Sequence, residues 1–258
     1  MNDTTSSPDK PLTGKVILVV GASAGIGADA ARVFAEDGAC VMLAARQREP
    51  LEAVAAGLQA LGFDADLVTG DVSSAADVAA IVEATVRRFG RLDGALNNAA
   101  MTGSGRLDEV SEEDFDRIMA VNVKGVWLCL REELRVMRPQ GSGSLVNVSS
   151  IGGLRGSPGL GAYQATKHAV IGLTRTAAHE NGPLGIRVNV LAPGPTETPM
   201  LDLTRAAIPG GVEARIAATP LRKAGTGREV GGAASWLLSD RASHISGVVL
   251  PVDGGFSA

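Results

Sequence analysis

Cysteine is scarce in this chain: Cys40 and Cys129 are the only two in 258 residues. Two thiols make neither a disulfide framework nor a cysteine-rich metal site. Each stands in an apolar setting, so both read as buried free thiols of a reducing compartment. The three histidines, His168, His179 and His244, show no ligand spacing, and no metal is expected. No apolar run reaches eighteen residues, so nothing is expected to span a membrane. Lys and Arg total 24 against 28 Asp and Glu, a formal charge of −4, and the basic residues form no cluster. That balance argues against nucleic acid or an anionic membrane surface as the main partner. The polar opening MNDTTSSPDKPLTG has no apolar segment of the signal-peptide kind and reads as a flexible tail over 1–11. A soluble cytoplasmic protein is the expectation.

What the chain does have is 45% hydrophobic and 20% charged residues, the balance of a globular protein with a full core. The apolar residues alternate between short β-rich runs and helical patterns. KVILVV (15–20), ACVMLAA (39–45), ADLVTGD (65–71) and LDGALNNAA (92–100) read as strands with their exits. Between them lie helical stretches ended by Gly38, Gly62 and Gly90, each a good C-terminal cap. The second half continues with one long helix over 111–137, opened by Ser111 with Asp114 three residues on. A strand at 144–150, a helix at 161–181, a strand at 186–192, a helix at 227–240 and a strand at 247–253 complete the chain. Residues 193–227, rich in Pro, Gly and Thr, break the rhythm and read as a functional lid or loop. No linker or composition shift divides the chain. The expected fold is α/β: a Rossmann-type, doubly wound, seven-stranded parallel sheet with helices on both faces, one domain over 12–258.

Several patterns carry chemistry. In SSIGGLRGSPGLGAYQATK (149–167), Tyr163 and Lys167 stand four apart, one turn along one helical face. An ammonium one turn from a phenol favours the phenolate, whose ordinary pKa of ~10 is too high for a base at neutral pH. Taken alone, a tyrosine and a lysine at that spacing are as readily packing and a solvated charge. The first strand–helix turn reads VVGASAGIG, with Gly21, Gly25 and Gly27 spaced GxxxGxG. Glycines there allow a tight bend and close approach to a pyrophosphate, which the helix N-terminus favours. Arg46, after the second strand, suits a 2′-phosphate, although an ordinary surface arginine is the alternative. Asp71 is placed to accept from an adenine amino group or to cap the helix that follows. Asn97 to Ala100, Asn122 and Pro193-Gly194 lie at strand exits or on neighbouring helices, where ligands of open α/β sheets bind. For Asn122 a structural hydrogen bond is the competing account.

These motifs together resemble the short-chain dehydrogenase/reductase family over about residues 12–257. They are GASAGIG (21–27), Asp71-Val72, NNAA (97–100), Asn122, Ser150, YQATK (163–167), PGPTET (193–198) and VDGG (252–255), in family order. The resemblance implies an NAD(P)-dependent oxidoreductase acting on a ketone or secondary alcohol, similar to 3-oxoacyl-carrier-protein reductases and related ketoreductases. It implies Tyr163 as general acid or base, Lys167 as its pKa-lowering partner and ribose ligand, and Ser150 as donor to the substrate oxygen. Asn122 would hold a water in a proton relay. Gly21, Ser23, Ala24, Gly25, Ile26 and Gly27 would hold the diphosphate. Asp71 and Val72 would line the adenine, Asn98 and Ala99 the adenine-ribose side, and Ala100 would lie near the nicotinamide ribose. Thr196 and Thr198 would meet the carboxamide and diphosphate, with Pro193 and Gly194 also at the cofactor. With Arg46, NADP(H) is the expected cofactor and NAD(H) remains open. A homotetramer built on helices 111–137 and 161–181 and the last strand is implied too.

Three positions depart from the family pattern: Val20 for a threonine, Ala100 for a glycine and Thr196 for a branched apolar residue. None is the proton-transfer group, so tuning is expected and not loss of activity. A catalytically inactive nucleotide-sensing regulator and a nucleotide-sugar epimerase or dehydratase are the other readings. The first would be free to lose Tyr163, Lys167 or Ser150, and all three stand. The second resembles longer chains with a separate C-terminal substrate domain. Leu154, Arg155 and Leu160 flank the serine and are candidate substrate contacts. So are Met200 and Leu201, in a lid whose apolar residues also include Leu203, Ala206, Ala207, Ile208 and Pro209.

Overall fold

The apolar runs become parallel strands whose two faces are both covered, which is why they carry little alternation. A computed structural model describes residues 10–207 and 210–258. Residues 1–9 of the expected tail, and Ile208 and Pro209 of the expected lid, lie outside the described residues. The strands are β1 (Val16–Val20), β2 (Cys40–Ala45), β3 (Ala65–Thr69), β4 (Gly94–Asn97), β5 (Gly143–Val148), β6 (Ile186–Pro193) and β7 (Val249–Val252). They form one seven-stranded sheet in the order β3-β2-β1-β4-β5-β6-β7, every pair parallel. The direction of winding reverses between β1 and β4, and at such a point the strand ends open a crevice.

Helices α1 (Gly25–Glu36), α2 (Arg48–Ala60) and α9 (Gly227–Leu238) cover one face. On the other lie α3 (Ala75–Phe89), α5 (Gly125–Gln140) and α6 (Gly161–Asn181). β1 shows the division: Ile17 and Val19 join the first layer with Phe34 and Leu237, while Leu18 and Val20 join the second with Leu128 and Met137. Gly90 ends α3 in the left-handed conformation, φ 82°, and Ser74 and Ser111 cap α3 and α4 (Glu112–Met119) from their side chains. Cys129 is buried as expected, but Cys40 is only half-buried; both are free. No helix among the described residues is long and apolar enough to cross a membrane.

Two elements differ from the expectation. The helix over 111–137 is interrupted: α4 passes into α5 through a π-turn over Ala120–Lys124. Asn122 lies buried within that turn; its Oδ1 accepts from the Met101 amide at 2.8 Å and its Nδ2 donates to the Met101 carbonyl at 2.9 Å. Widening the turn lets one side chain serve a neighbouring loop, a common reason for such a bulge. The stretch 193–227 is not an irregular loop, for it contains α7 (Pro199–Ala207) and α8 (Gly211–Ala218). Its Pro, Gly and Thr lie mainly at the ends of these short helices and hide their pattern.

A polar chain crosses the second layer. Asn97 Nδ2 donates to Glu133 Oε2 and to Asn147 Oδ1, both at 3.0 Å, and Asn147 Nδ2 donates to Thr174 Oγ1 at 2.9 Å. Glu133 is fully buried, and its Oε1 has no hydrogen-bond partner among the described residues. Burial therefore pushes its acid up to about 7, against the opposing hydrogen bond from Asn97. An acid raised this way costs nothing while the unfolded chain also holds its proton. The cost grows as pH climbs from the unfolded value toward about 7, then stays level. We expect Glu133→Gln to gain stability on the order of 3 kcal/mol at about pH 8 and much less at about pH 4. Urea midpoints at the two pH values check it; equal gains at both would refute the assignment.

Candidate active site

The carboxyl ends of β1, β4, β5 and β6 open onto one cavity of about 450 Å³. Its floor at β1 is the glycine turn. Gly21 takes φ +86° and a side chain there would lie 2.6 Å from the Ala99 amide nitrogen. Gly27 faces away from the cavity, where a side chain would overlap the Gly21 carbonyl and lie 2.8 Å from Asn98 Nδ2. Asn98 Nδ2 donates to that carbonyl at 3.0 Å, so the 21–27 turn and the 97–100 loop are one braced unit. Val20, where the family pattern has threonine, is buried in the core and leaves this bracing to Asn98. Ser23, Ala24, Gly25 and Ile26 line the cavity, and α1 begins there with no side-chain cap and no acid in its first turn. Unpaired helix-start amides, a backbone that admits no side chain and no competing carboxylate fit an anionic diphosphate.

Arg46 lines the cavity beyond β2, well exposed, its Nη1 3.8 Å from Asp71 Oδ2. Asp71 is not part of the wall. Its Oδ1 accepts from the amide and the hydroxyl of Ser73, both at 2.8 Å, so it braces the turn before α3, while Ser74 is the cap. Partial burial opposes its ionisation, but the Ser73 hydrogen bonds and the Arg46 charge outweigh that and hold its carboxyl below the ordinary range. Val72, Ala99 and Ala100 line the same end, and Pro193, Gly194, Thr196 and Thr198 line the opposite wall. Thr198 reaches the glycine turn: a side chain at Gly25 would lie 3.0 Å from its methyl.

At the other end stand Ser150, Tyr163 and Lys167. Ser150 follows β5; its Oγ accepts from the Gly152 amide at 3.0 Å, and its hydroxyl is hydrogen-bonded to Tyr163. A side chain at Gly152 would lie 3.5 Å from Ser150 Oγ and 3.7 Å from Tyr163 Cε1, so the serine and the ring share one corner. Lys167 Nζ donates to the Val148 carbonyl at 2.9 Å and stands 5.5 Å from the Tyr163 ring centroid. Burial lowers Lys167 to about 8. Burial also raises the Tyr163 phenol above its ordinary value, against the opposing hydrogen bond with Ser150. Desolvation is the largest influence on the phenol, and the Lys167 ammonium donates to the Val148 carbonyl.

The structure also separates residues that the sequence grouped. Asn122 is buried outside the cavity wall, its side chain committed to Met101 and, through Nδ2, to Thr166 Oγ1 at 3.2 Å; the structural hydrogen bond is what is observed. Leu154 does not line the cavity and is 39% exposed. It sits at the end of the short turn after Ser150, whose buried positions are Gly152 and Gly153. Arg155, Leu160, Met200 and Leu201 do line it, whereas Leu203, Ala206 and Ala207 do not. The wall also holds residues not singled out in the sequence: Gln164, Thr204, Val212, Arg215 and Phe256. Gln164 could have been noticed as a polar residue beside Tyr163; its Oε1 accepts from Ser157 N at 2.9 Å and ties down the 150–163 segment. Phe256 and Arg215 carry no local signal, because only the folded chain brings them to the cleft.

Comparison with known proteins agrees with this geometry. A family described as enoyl-(acyl carrier protein) reductase matches residues 21–257. The chain is 40% identical to levodione reductase of Leifsonia aquatica, over 98% of each chain. It is 44% identical to an A-factor type gamma-butyrolactone 1'-reductase (1S-forming) of Streptomyces virginiae, over 95% of this chain and 96% of that one. The crystal structure of an actinorhodin polyketide ketoreductase variant with NADPH superposes with a TM-score of 0.90 at 32% identity, over 94% of this chain and 97% of that one. With the sheet order, the glycine turn and the serine–tyrosine–lysine corner, these matches make the chain a member of the short-chain dehydrogenase/reductase family of oxidoreductases.

Proposed function

We propose that this oxidoreductase interconverts a ketone and a secondary alcohol, with NADP(H) as the preferred cofactor and Tyr163 as the proton-transfer group. The observation that carries the reading is the single cleft with the dinucleotide-type turn at one end and Ser150, Tyr163 and Lys167 at the other. A bound dihydronicotinamide supplies hydride to the carbonyl carbon. Charge then builds on the carbonyl oxygen, where the Ser150 hydroxyl donates a hydrogen bond and Tyr163 donates its proton. Because burial raises the phenol, Tyr163 holds that proton throughout the neutral range, the state that reduction requires. In alcohol oxidation the same oxygen takes the proton back. Lys167, at about 8, is an ammonium at neutral pH and supplies donors for ribose hydroxyls.

The glycine turn, with Ser23 to Ile26, would hold the diphosphate, and Val72, Asn98, Ala99 and Ala100 the adenine-ribose side. Pro193, Gly194, Thr196 and Thr198 would take the nicotinamide end. Arg46, with Ala45 before it and no acid at the end of β2, supports the 2′-phosphate reading. The segment 193–227, now seen to hold α7 and α8, would act as the lid over substrate. Exposed Phe115 and Trp127 on α4 and α5 support assembly into a homotetramer through that surface. A cytoplasmic location suits the unpaired thiols.

We expect Tyr163→Phe to lower turnover by roughly 10²–10⁴-fold while NADPH affinity, followed by quenching of protein fluorescence, stays close to wild type. Retained turnover would remove Tyr163 from the mechanism. We also expect Arg46→Asp to shift the NADPH/NADH ratio of kcat/KM by roughly tenfold or more toward NADH, since it replaces a phosphate partner by a like charge. A wild-type enzyme that already favours NADH in steady-state assays would contradict the role given to Arg46.

A further inference from the structure

The protein carries more acid than base, 28 residues against 24, yet its cleft shows the opposite. Among the described residues of the cavity wall there is no Asp or Glu, and the charged members are Arg46, Arg155, Lys167 and Arg215. The proposed function employs Arg46 and Lys167. Arg155 and Arg215 are left over.

Neither has an acidic partner among the described residues. The carboxylates nearest to Arg215 in the chain are spent elsewhere. Arg205 on α7 gathers Glu197, Asp202 and Glu213, with Glu213 only two residues before Arg215 on α8. Arg155 lies against the Phe256 ring at 4.9 Å. A guanidinium resting on an aromatic face keeps its in-plane N–H donors free for a planar acceptor. The acid nearest Phe256 is also committed. Asp253 Oδ1 accepts from Gly255 N at 2.9 Å, and Oδ2 accepts from the Ser257 amide at 2.9 Å and its hydroxyl at 2.6 Å. Asp253 thus builds the turn that presents Phe256 without neutralising Arg155. The same cavity wall carries apolar Leu160, Met200, Leu201 and Val212.

Resting on the oxidoreductase reading above, we propose that the substrate is an oxo acid. Its ketone sits at Ser150 and Tyr163, a hydrocarbon segment lies against the apolar wall, and its carboxylate is held by Arg155 and Arg215. Arg155 is exposed and Arg215 half-buried, so both guanidiniums are open to a ligand, and a carboxylate supplies the acceptors that the cleft wall lacks. The chemistry balances without involving the carboxylate. The C=O π bond is reduced as hydride from NADPH joins carbon and the Tyr163 proton joins oxygen, giving a hydroxy acid and NADP⁺.

The test uses the full-length enzyme and matched pairs of oxo acids and their methyl esters, with several methylenes between the ketone and the carboxyl group. Turnover is followed by NADPH consumption. The acid of the best pair should exceed its ester in kcat/KM by roughly tenfold to a hundredfold, as expected for a charge-assisted pair. Arg215→Gln and Arg155→Gln should each cut that acid-to-ester ratio by roughly tenfold, mainly through KM, with Arg155→Lys restoring part of it. NADPH affinity of Arg215→Gln, measured by fluorescence quenching, should stay within about twofold of wild type. A large loss there would give Arg215 to the cofactor phosphates and overturn its substrate role. Ester turnover equal to or above that of the acid overturns the proposal and leaves the ketone–alcohol reading standing. No turnover of either partner with NADPH or NADH overturns both.

Discussion

A phenol and an ammonium share one turn of α6, the ammonium buried and the phenol half-buried on the cavity wall, and the rest of the structure is arranged to keep them there. Lys167 is 3% exposed and anchors to the last carbonyl of β5. Ser149 Oγ donates to the Lys167 carbonyl at 2.8 Å, tying the helix to the same strand end. Desolvation moves both groups toward neutrality: the phenol rises and the amine falls to about 8. An acid that keeps its proton at neutral pH, hydrogen-bonded to a serine hydroxyl, is suited to protonating an oxygen. The sheet fixes this corner because β5 is an interior strand, paired to β4 on one side and β6 on the other.

The second constraint is backbone on backbone. The glycine turn can approach the 97–100 loop only because position 21 has no side chain, and Asn98 locks the two together. Its neighbour Asn97 belongs to the buried chain that ends on Glu133 and Thr174. The glycine turn and the second core layer therefore meet in two consecutive asparagines. A buried acid that is easier to keep protonated than ionised lies two hydrogen-bonding residues from the proposed cofactor site.

Much of this was legible in the sequence because it is local. Continuous apolar runs with glycine stops give parallel strands and crossover helices, and GxxxGxG after the first strand gives the turn. Residues whose role depends on direction were less legible. Asp71 and Asn122 stand at the positions the motifs give, but each turns its side chain to its own neighbourhood, Ser73 and Met101, and not into the cleft. The surroundings of Tyr163 were also hidden, since spacing brings Lys167 near while only the fold reveals burial and the Lys167 bond to the Val148 carbonyl. Arg215 and Phe256 could not be found at all from pattern, because tertiary packing alone brings α8 and the chain after β7 to the cleft that Ser150 lines.

Tyr163 is the only tyrosine in the chain, so tyrosinate absorbance reports on it alone. The most direct test is to titrate that absorbance in the free protein and in its complex with NADP⁺, beside the pH profile of kcat for alcohol oxidation. The account predicts that the free phenol ionises above its ordinary value, that the positively charged nicotinamide lowers it, and that oxidation rises in step with tyrosinate in the complex. Full oxidation at a pH where the complex still shows a protonated tyrosine would contradict it.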